Sequence, residues 1–464
     1  MGIQVSSLSN VINCGACTGC GVCSVFSGGR IPIKIDDYGV WQADLSQAMV
    51  QDQDLGSQVC PFADESPNET AIASELFPSL PMDSQIGRYH EVLAVQVADS
   101  DFVANSSSGG LTTWLLKQLL ERQLIDGVIH VGAQSGDRLF SYQVSHSVPE
   151  LLSRRKSIYY STSMAGPLTE IKGNGKKYAL VGVPCFITAG RLLTRRDEEL
   201  QEQLAFFIGL VCGHLKSPGF AELLAWQVGV PPHELSAVDF RVKNPEKDAA
   251  HYDFEAVSLD GVARRAATSS LLGGDWGLGL FQLDACNYCD DVFAETADVA
   301  LGDAWLPEFT ADWRGHNVVV TRHPTLASVI REGDALGDLA VQPLDVEQAS
   351  RSQAGNMRHR RDGLALRLHD DQSRGRWTPR KRVPPSEDLP SQRKAVVRAR
   401  RRLSSQSLKL FEDAKESGSL DPFIKGITPC IETYKRAYHV SAARRALRRL
   451  RRGAGRVVGF VRRS

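Results

Sequence analysis

The sequence predicts a mixed α/β protein. It has a cysteine-rich opening, a central α/β domain with a mainly parallel sheet, a strand-rich second part and a basic helical C-terminal tail. Three observations carry this. Cys14, Cys17, Cys20 and Cys23 recur at every third position. From Glu91 onward, apolar strand runs alternate with turns and helical spacings. Finally, residues 1–350 hold 24 Lys and Arg against 44 Asp and Glu, whereas residues 351–464 hold 30 against 10, so a net charge of +0 hides an acidic body and a basic segment.

A chain of 464 residues with 42% hydrophobic and 23% charged residues has the composition of a folded protein of several domains. It contains no apolar run long enough for a membrane span. Met1 to Val25 lacks a charged start followed by an apolar core, so no secretory signal is expected and the expected location is cytoplasmic. No internal repeat is visible, which removes solenoids and propellers.

The elements follow in order. Residues 1–62 form the cysteine-rich opening, with a short strand-like piece at Arg30–Ile35, and residues 63–88, holding Pro67, Pro78 and Pro81, read as a linker. Residues 89–235 repeat strand–turn–helix: Leu93–Asp99, then helical spacing over Leu111–Gln123, then strand runs at Val128–Ala133, Tyr178–Val183 and Phe206–Val211. Such units favour a mainly parallel sheet. Residues 236–350 are strand-rich, as at Val238–Lys243 and Phe254–Leu259, and contain a CxxC. Residues 351–464 are basic, with a proline-marked linker between Thr378 and Gln392 and a helical remainder.

Ten cysteines are too few for a disulfide scaffold, and their spacing is the informative part. In CGACTGCGVC, serial CxxC spacers let one tight loop supply three thiolates to an iron–sulfur cube. No fourth ligand follows locally, but Cys60-Pro61 offers a distant thiolate. The expected set is Cys17, Cys20, Cys23 and Cys60, making a ferredoxin-like segment with Cys14 as a spare. A zinc knuckle is the competing reading, although zinc sites usually separate two CxxC pairs. Cys185 and Cys212 each end a predicted strand, where α/β sheets commonly line a crevice, and Cys286 and Cys289 would complete a second four-thiolate site. Read singly, Cys185 and Cys212 are equally consistent with small apolar core residues.

Asn105–Trp114 (NSSSGGLTTW) joins a strand to a helix. Glycines allow close backbone approach, and a helix N-terminus presents free N–H groups to a phosphate. Helix capping alone explains the serines as well. Arg154–Ser161 (RRKSIYYS) offers cations to the same anion, or a solvated face.

Together, Cys17–Cys23, Ser106–Gly110, Lys156–Ser161, Val181–Leu193, Gly209–Ser217, Phe240–Lys243 and Cys286–Trp305 resemble, in order, the beta subunit family of coenzyme F-420 hydrogenases and dehydrogenases. The resemblance implies an iron–sulfur flavoprotein oxidoreductase passing electrons between a deazaflavin or ferredoxin and another acceptor. Its cofactors would be FAD, or FMN on the same motifs, with one or two 4Fe–4S clusters. It implies flavin contacts at Ser107, Ser108, Gly109, Gly110, Thr112, Lys156 and Ser157, and it supports the second cysteine set. His214 and Lys216 are the candidate proton-supplying catalytic residues. Arg241, Lys243, Asp290 and Asp303 also occupy family-like positions. The alternative is a non-catalytic electron carrier or assembly subunit. The basic extension most resembles members that accompany surface-polysaccharide synthesis, which implies a peripheral place at the inner membrane face.

Within that extension, Ala443, Leu447, Leu450, Val457, Val458 and Val461 fall at helix-compatible spacings beside Arg444, Arg445, Arg448, Arg449, Arg451 and Arg452. Such a helix suits, in order of preference, an ordinary solvated face or docking on the acidic body, an anionic membrane surface, and RNA.

Overall fold

The computed structural model describes residues 7–438. Its centre is an eight-stranded sheet: β1 (Glu91–Val97), β2 (Gly127–Ala133), β3 (Phe140–Ser145), β4 (Tyr178–Gly182), β5 (Leu204–Leu210), β6 (Val299–Asp303), β7 (Asn317–Thr321) and β8 (Leu339–Pro343). The spatial order is β8-β1-β7-β6-β5-β4-β2-β3. The ladders β6–β5, β5–β4 and β4–β2 are parallel. Those flanking them are antiparallel. The sheet is therefore mixed, with the expected parallel arrangement confined to its centre. Strands β6, β7 and β8 return after a long excursion and insert beside β1 and β5, and strand runs read singly do not disclose that direction.

Both faces are covered, which is why strands such as NVVVT read as unbroken apolar runs. Helix α1 (Leu111–Glu121) buries Leu111, Trp114, Leu115 and Leu119 against Leu93, Val95 and Val97. Its apolar positions recur at helical spacing, so one stripe faces the sheet. The other face, with Val92, Ala94, Val318 and Val320, receives Phe186 and Ile187 of α2 (Pro184–Thr194) and Val22 and Val25 of the cysteine-rich opening. Each fully buried Leu or Val contributes about 1.5–3 kcal/mol, so this packing fixes the N-terminal segment against the strand ends.

Residues 63–88 include the helix Glu69–Leu76, whose Ile72 and Ala73 are buried. A three-stranded antiparallel sheet (Leu235–Val242, Asp253–Ser258, Ala263–Ala267) lies outside the main one. Helices α3 (Ala354–Arg360) and α4 (Asp362–Gln372) bring Met357, Leu364 and Leu368 to the cysteine region. The long pair α5 (Ser391–Ser417) and α6 (Asp421–Tyr438) turns at Gly418 and buries Phe411, Phe423 and Ile427 with Phe254 and Phe281. Lys415 of α5 places its Nζ 3.6 Å from a carboxylate oxygen of Glu222, so basic residues of this segment pair with the body. Among the described residues, no helix is long and apolar enough to cross a membrane. The arginine-rich stretch expected as an amphipathic tail helix lies outside the described residues.

Candidate functional site

The cysteine loop begins after the helix Ser7–Asn13 and ends in the helix Val22–Phe26. Gly19 sits at φ +69, and a Cβ there would lie 2.2 Å from the Trp41 carbonyl, so only glycine lets the loop pass the second strand of the opening's hairpin. Cys17, Cys20, Cys23 and Cys60 surround one cavity, with Leu8, Val11, Ile33, Val59 and Phe62 as apolar walls. Cys14 lies elsewhere. It faces an outer pocket with Asp284, Tyr288, Arg376, Trp377 and Arg401.

Cys185 lies in the first turn of α2, immediately after β4, and Cys212 follows β5. Cys286 and Cys289 come from a short helical turn, Asp284–Tyr288, and the residue after it. These four also line one cavity, together with Thr18, Phe62, Leu215 and Arg360. The Leu215 backbone N–H donates to Cys286 Sγ at 3.2 Å. Burial pushes the thiols up, to about 11 for Cys20 and Cys289 and to about 12 for Cys212. Without a cation these sites hold neutral thiols, and binding one would release protons. Among the described residues no group of three His, Cys, Asp or Glu is arranged to hold a single metal ion.

The donors around the second cavity fit a bound sulfur-rich anion. Arg360 is 2% exposed, yet its Nε and Nη1 have no hydrogen-bond partner among the described residues. Its Nη2 donates to the carbonyls of Cys212 (3.1 Å) and Gly213 (2.9 Å) and lies 3.8 Å from Cys212 Sγ.

A third cavity, of about 250 Å³, opens between the C-terminal strand ends and the Ser/Gly turn. Ser107, Ser108, Gly110, Thr112, Lys156, Ser157, His214 and Lys216 all line it. Gly109 does not line it but packs behind: a Cβ there would meet the Val95 carbonyl at 2.5 Å. The turn is held from three sides. Ser157 donates to Ser107 Oγ at 2.8 Å, and Ser108 donates to the His316 carbonyl at 2.7 Å. Lys243 Nζ donates to the carbonyls of Val103, Ser108 and Arg314 at 2.8, 2.5 and 2.6 Å. Lys156, at φ +105, directs Nζ to Asp239 at 2.7 Å, while Arg155 also faces the cavity. The α1 N-terminus and these cations form an anion cradle.

At the other end of this cavity, the His214 ring stacks on Trp276 with centroids 4.7 Å apart. Its Nδ1 faces Arg400 Nη2 at 3.3 Å, and its buried Nε2 has no hydrogen-bond partner among the described residues. Burial and then Lys216, Arg400 and Arg360 hold the imidazole well below its usual range, hence neutral at pH 7. Lys216 Nζ donates to the Leu280 carbonyl at 2.5 Å and lies over the rings of Phe220 and Trp276. Burial pulls its ammonium well below the usual lysine range. Arg241 forks Asp303 at 2.9 and 3.0 Å on the remaining wall. An anion cradle at one end, flat aromatic walls and an unpartnered imidazole nitrogen at the other suit a planar, phosphate-bearing ligand.

The three cavities are contiguous. Cys212 and Leu215 line both the large cavity and the second thiol cavity, and Thr18 and Phe62 line both thiol cavities. Sequence reasoning missed Trp276, Asn317, Arg360 and Lys381. The last places its Nζ 4.4 Å from the centroid of the Phe62 ring.

Comparison with known proteins places these features. Residues 92–169 match the family model "Coenzyme F420 hydrogenase/dehydrogenase, beta subunit N-term", and residues 175–347 match the companion model for the C terminus of the same beta subunit. The chain is 26% identical over 217 residues to F420-dependent formate dehydrogenase 1 subunit beta of Methanococcus maripaludis, covering 46% of this chain and 52% of that protein. It is 22% identical over 337 residues to Coenzyme F420-dependent sulfite reductase of Methanocaldococcus jannaschii, covering 68% and 45%. The chain spans about half the length of these curated relatives. A chain of the F420-reducing [NiFe] hydrogenase complex from Methanosarcina barkeri aligns with a TM-score of 0.46 at 18% identity, over 60% of this chain and 94% of that one. The first thiol loop, Arg360 and Lys381 lie outside the matched residues. Two consecutive models spanning the sheet, the Ser/Gly turn and the second cysteine set lead to one assignment: the chain belongs to the coenzyme F420 hydrogenase/dehydrogenase beta subunit family.

Proposed function

We propose that this chain is an iron–sulfur flavoprotein oxidoreductase that transfers electrons between a deazaflavin or ferredoxin donor and another acceptor through FAD and two 4Fe–4S clusters. The observation that carries the reading is the contiguity of the three cavities through Cys212 and Leu215, then Thr18 and Phe62. A flavin exchanges two electrons with a hydride donor and one at a time with clusters, which is the chemistry this order of sites requires.

The chain's own residues divide the work. Ser107, Gly110, Thr112 and the α1 N-terminus would bind phosphate oxygens, with Arg155 supplying positive charge, while Ser108, bonded to the His316 carbonyl, and Lys156, paired with Asp239, would shape the turn around them. Trp276 and Tyr159 wall the flat end of the cavity and exclude water. His214, neutral and with Arg400 donating to its Nδ1, would hold a proton on its unpartnered Nε2 and present it to the bound ring or substrate. Lys216 holds the aromatic wall in place through Leu280 and the Trp276 ring. Cys17, Cys20, Cys23 and Cys60 would hold one cluster, and Cys185, Cys212, Cys286 and Cys289 the other.

The test is an anaerobic absorption spectrum of the full chain with iron counted on the same sample. About eight irons per chain with a flavin spectrum supports the proposal. Iron without flavin after reconstitution would instead favour a non-catalytic electron carrier. Neither iron nor flavin would overturn the redox reading.

A further inference from the structure

Buried basic side chains crowd near the second thiol cavity: Arg360 lines it, and Lys216, Arg367 and Arg400 interact electrostatically with Arg360, Cys286 or one another. Lys216, Arg360, Arg367 and Arg400 have no carboxylate within ion-pair distance among the described residues. Lys216 and Arg360 are 1% and 2% exposed. Arg360 is the one that lines the thiol cavity itself, with two donor nitrogens unmet. An unpaired buried cation is costly, so its position implies a facing negative charge; the four cysteines face it, neutral as thiols and anionic as the thiolates that would hold a cluster. The first thiol cavity is different: among the described residues, no Lys or Arg lines it.

We infer that Arg360 sets the iron–sulfur site of Cys185, Cys212, Cys286 and Cys289 at a higher reduction potential than that of Cys17, Cys20, Cys23 and Cys60, making it the site that holds an electron from the flavin in preference to the other. This rests on the reading given under Proposed function. The step is one electron passing from reduced flavin to an oxidised cluster, with no bond made or broken and no proton taken up at the iron site. The cluster gains one negative charge. A fixed guanidinium beside it, in a dry, low-dielectric pocket, stabilises that charge more than it stabilises the oxidised state. The unmet Nε and Nη1 donors would act in the same direction by hydrogen-bonding to a bound cluster.

The experiment is a redox titration followed by electron paramagnetic resonance on the full chain, reconstituted anaerobically with iron and sulfide. The parent is expected to show two iron–sulfur signals titrating separately. In Arg360→Gln the higher signal should move down, its reduced-to-oxidised ratio at fixed poise falling about tenfold (~59 mV). The lower signal should stay in place, and Arg360→Lys should restore part of the shift. An Arg360→Gln protein with full iron and unmoved potentials overturns the inference. If both Arg360 variants lose iron, Cys60→Ala decides it: the remaining signal must sit at the higher parental potential, and one at the lower overturns it. A parent that takes up no iron overturns the functional reading itself, a result distinguishable from full iron without a shift.

Discussion

Asn317 accepts the backbone N–H of Leu111 through its Oδ1 at 3.0 Å and donates through Nδ2 to the Gly302 carbonyl at 3.2 Å. One amide thus ties the first residue of β7 to β6 and to the first turn of α1. The Ser/Gly turn it anchors is the anion cradle of the large cavity. Leaving the buried Leu111 N–H unmet costs about 1–3 kcal/mol. Asn317→Ala is therefore expected to lower stability by that amount and to weaken flavin retention. Chemical denaturation and flavin content per chain check both, and full flavin retention would contradict the anchoring role.

Nine of the ten cysteines divide into three groups by position, with Cys430 apart on α6, and iron counting should separate the three. Cys60→Ala is expected to remove about four irons per chain, and Cys286→Ala about four others, because each leaves a cube with three ligands. Cys14→Ala should leave the count unchanged, since Cys14 faces the outer pocket of Arg376 and Trp377. Loss of iron in Cys14→Ala would mean that Cys14 takes part in ligation.

What the sequence disclosed and what it hid follow from range. Cys185 and Cys212 were recognisable because each closes an apolar strand run, and α/β strand ends converge. Cys17, Cys20 and Cys23 are local, and Cys60 carries its proline beside it. Arg360 and Lys381 were not legible: in a basic segment each reads as a solvated charge, and only the folding of α3 and residues 373–390 over the thiol region reverses that. Arg382, for example, pairs with Glu295 at 2.7 Å beside the second cysteine pair. Asn317 was hidden for a similar reason, because its role depends on the pairing of β7 with β6 rather than on its neighbours in sequence. The antiparallel insertion of β7 and β8 likewise depends on a crossover that no local pattern encodes.

His130 on β2 lines the large cavity, with its Nε2 2.8 Å from the Ser145 hydroxyl. Burial, and then the Arg154 cation, hold its pKa down to about 4. The unfolded chain's imidazole takes up its proton near pH 6.5, so between pH 6.5 and 4 the unfolded state binds more protons. Stability from this group is therefore present above pH 6.5 and lost as pH falls towards 4, by about 3 kcal/mol in total. His130→Gln should show a flatter acid limb than the parent in unfolding measured from pH 7 to 4. Parallel curves would rule the histidine out as a source of acid lability.

Phe411 of α5 packs its ring 5.2 Å from Phe281 and 5.6 Å from Phe423. Phe281 belongs to the body, so the helical pair is part of the same core. Phe411→Ala is expected to cost about 3–5 kcal/mol. The loss should appear as one cooperative transition at a lower midpoint in chemical denaturation. Two separated transitions would show that α5 and α6 fold as an independent unit.

Residues 440–464 place arginines beside Leu447, Leu450, Val457 and Val461. Juxtamembrane basic residues are worth about 1 kcal/mol each on an anionic surface and are screened by salt. If this stretch holds the chain at a membrane face, the full protein should co-sediment with vesicles containing phosphatidylserine. Binding should weaken steeply with added salt and disappear when residues 440–464 are removed. The shortened protein should keep its iron and flavin, because every residue assigned to the three cavities precedes the stretch. Failure of the full protein to co-sediment at low salt would dismiss the membrane-surface role and leave a solvated or body-docked helix, or RNA binding, as the use of these arginines.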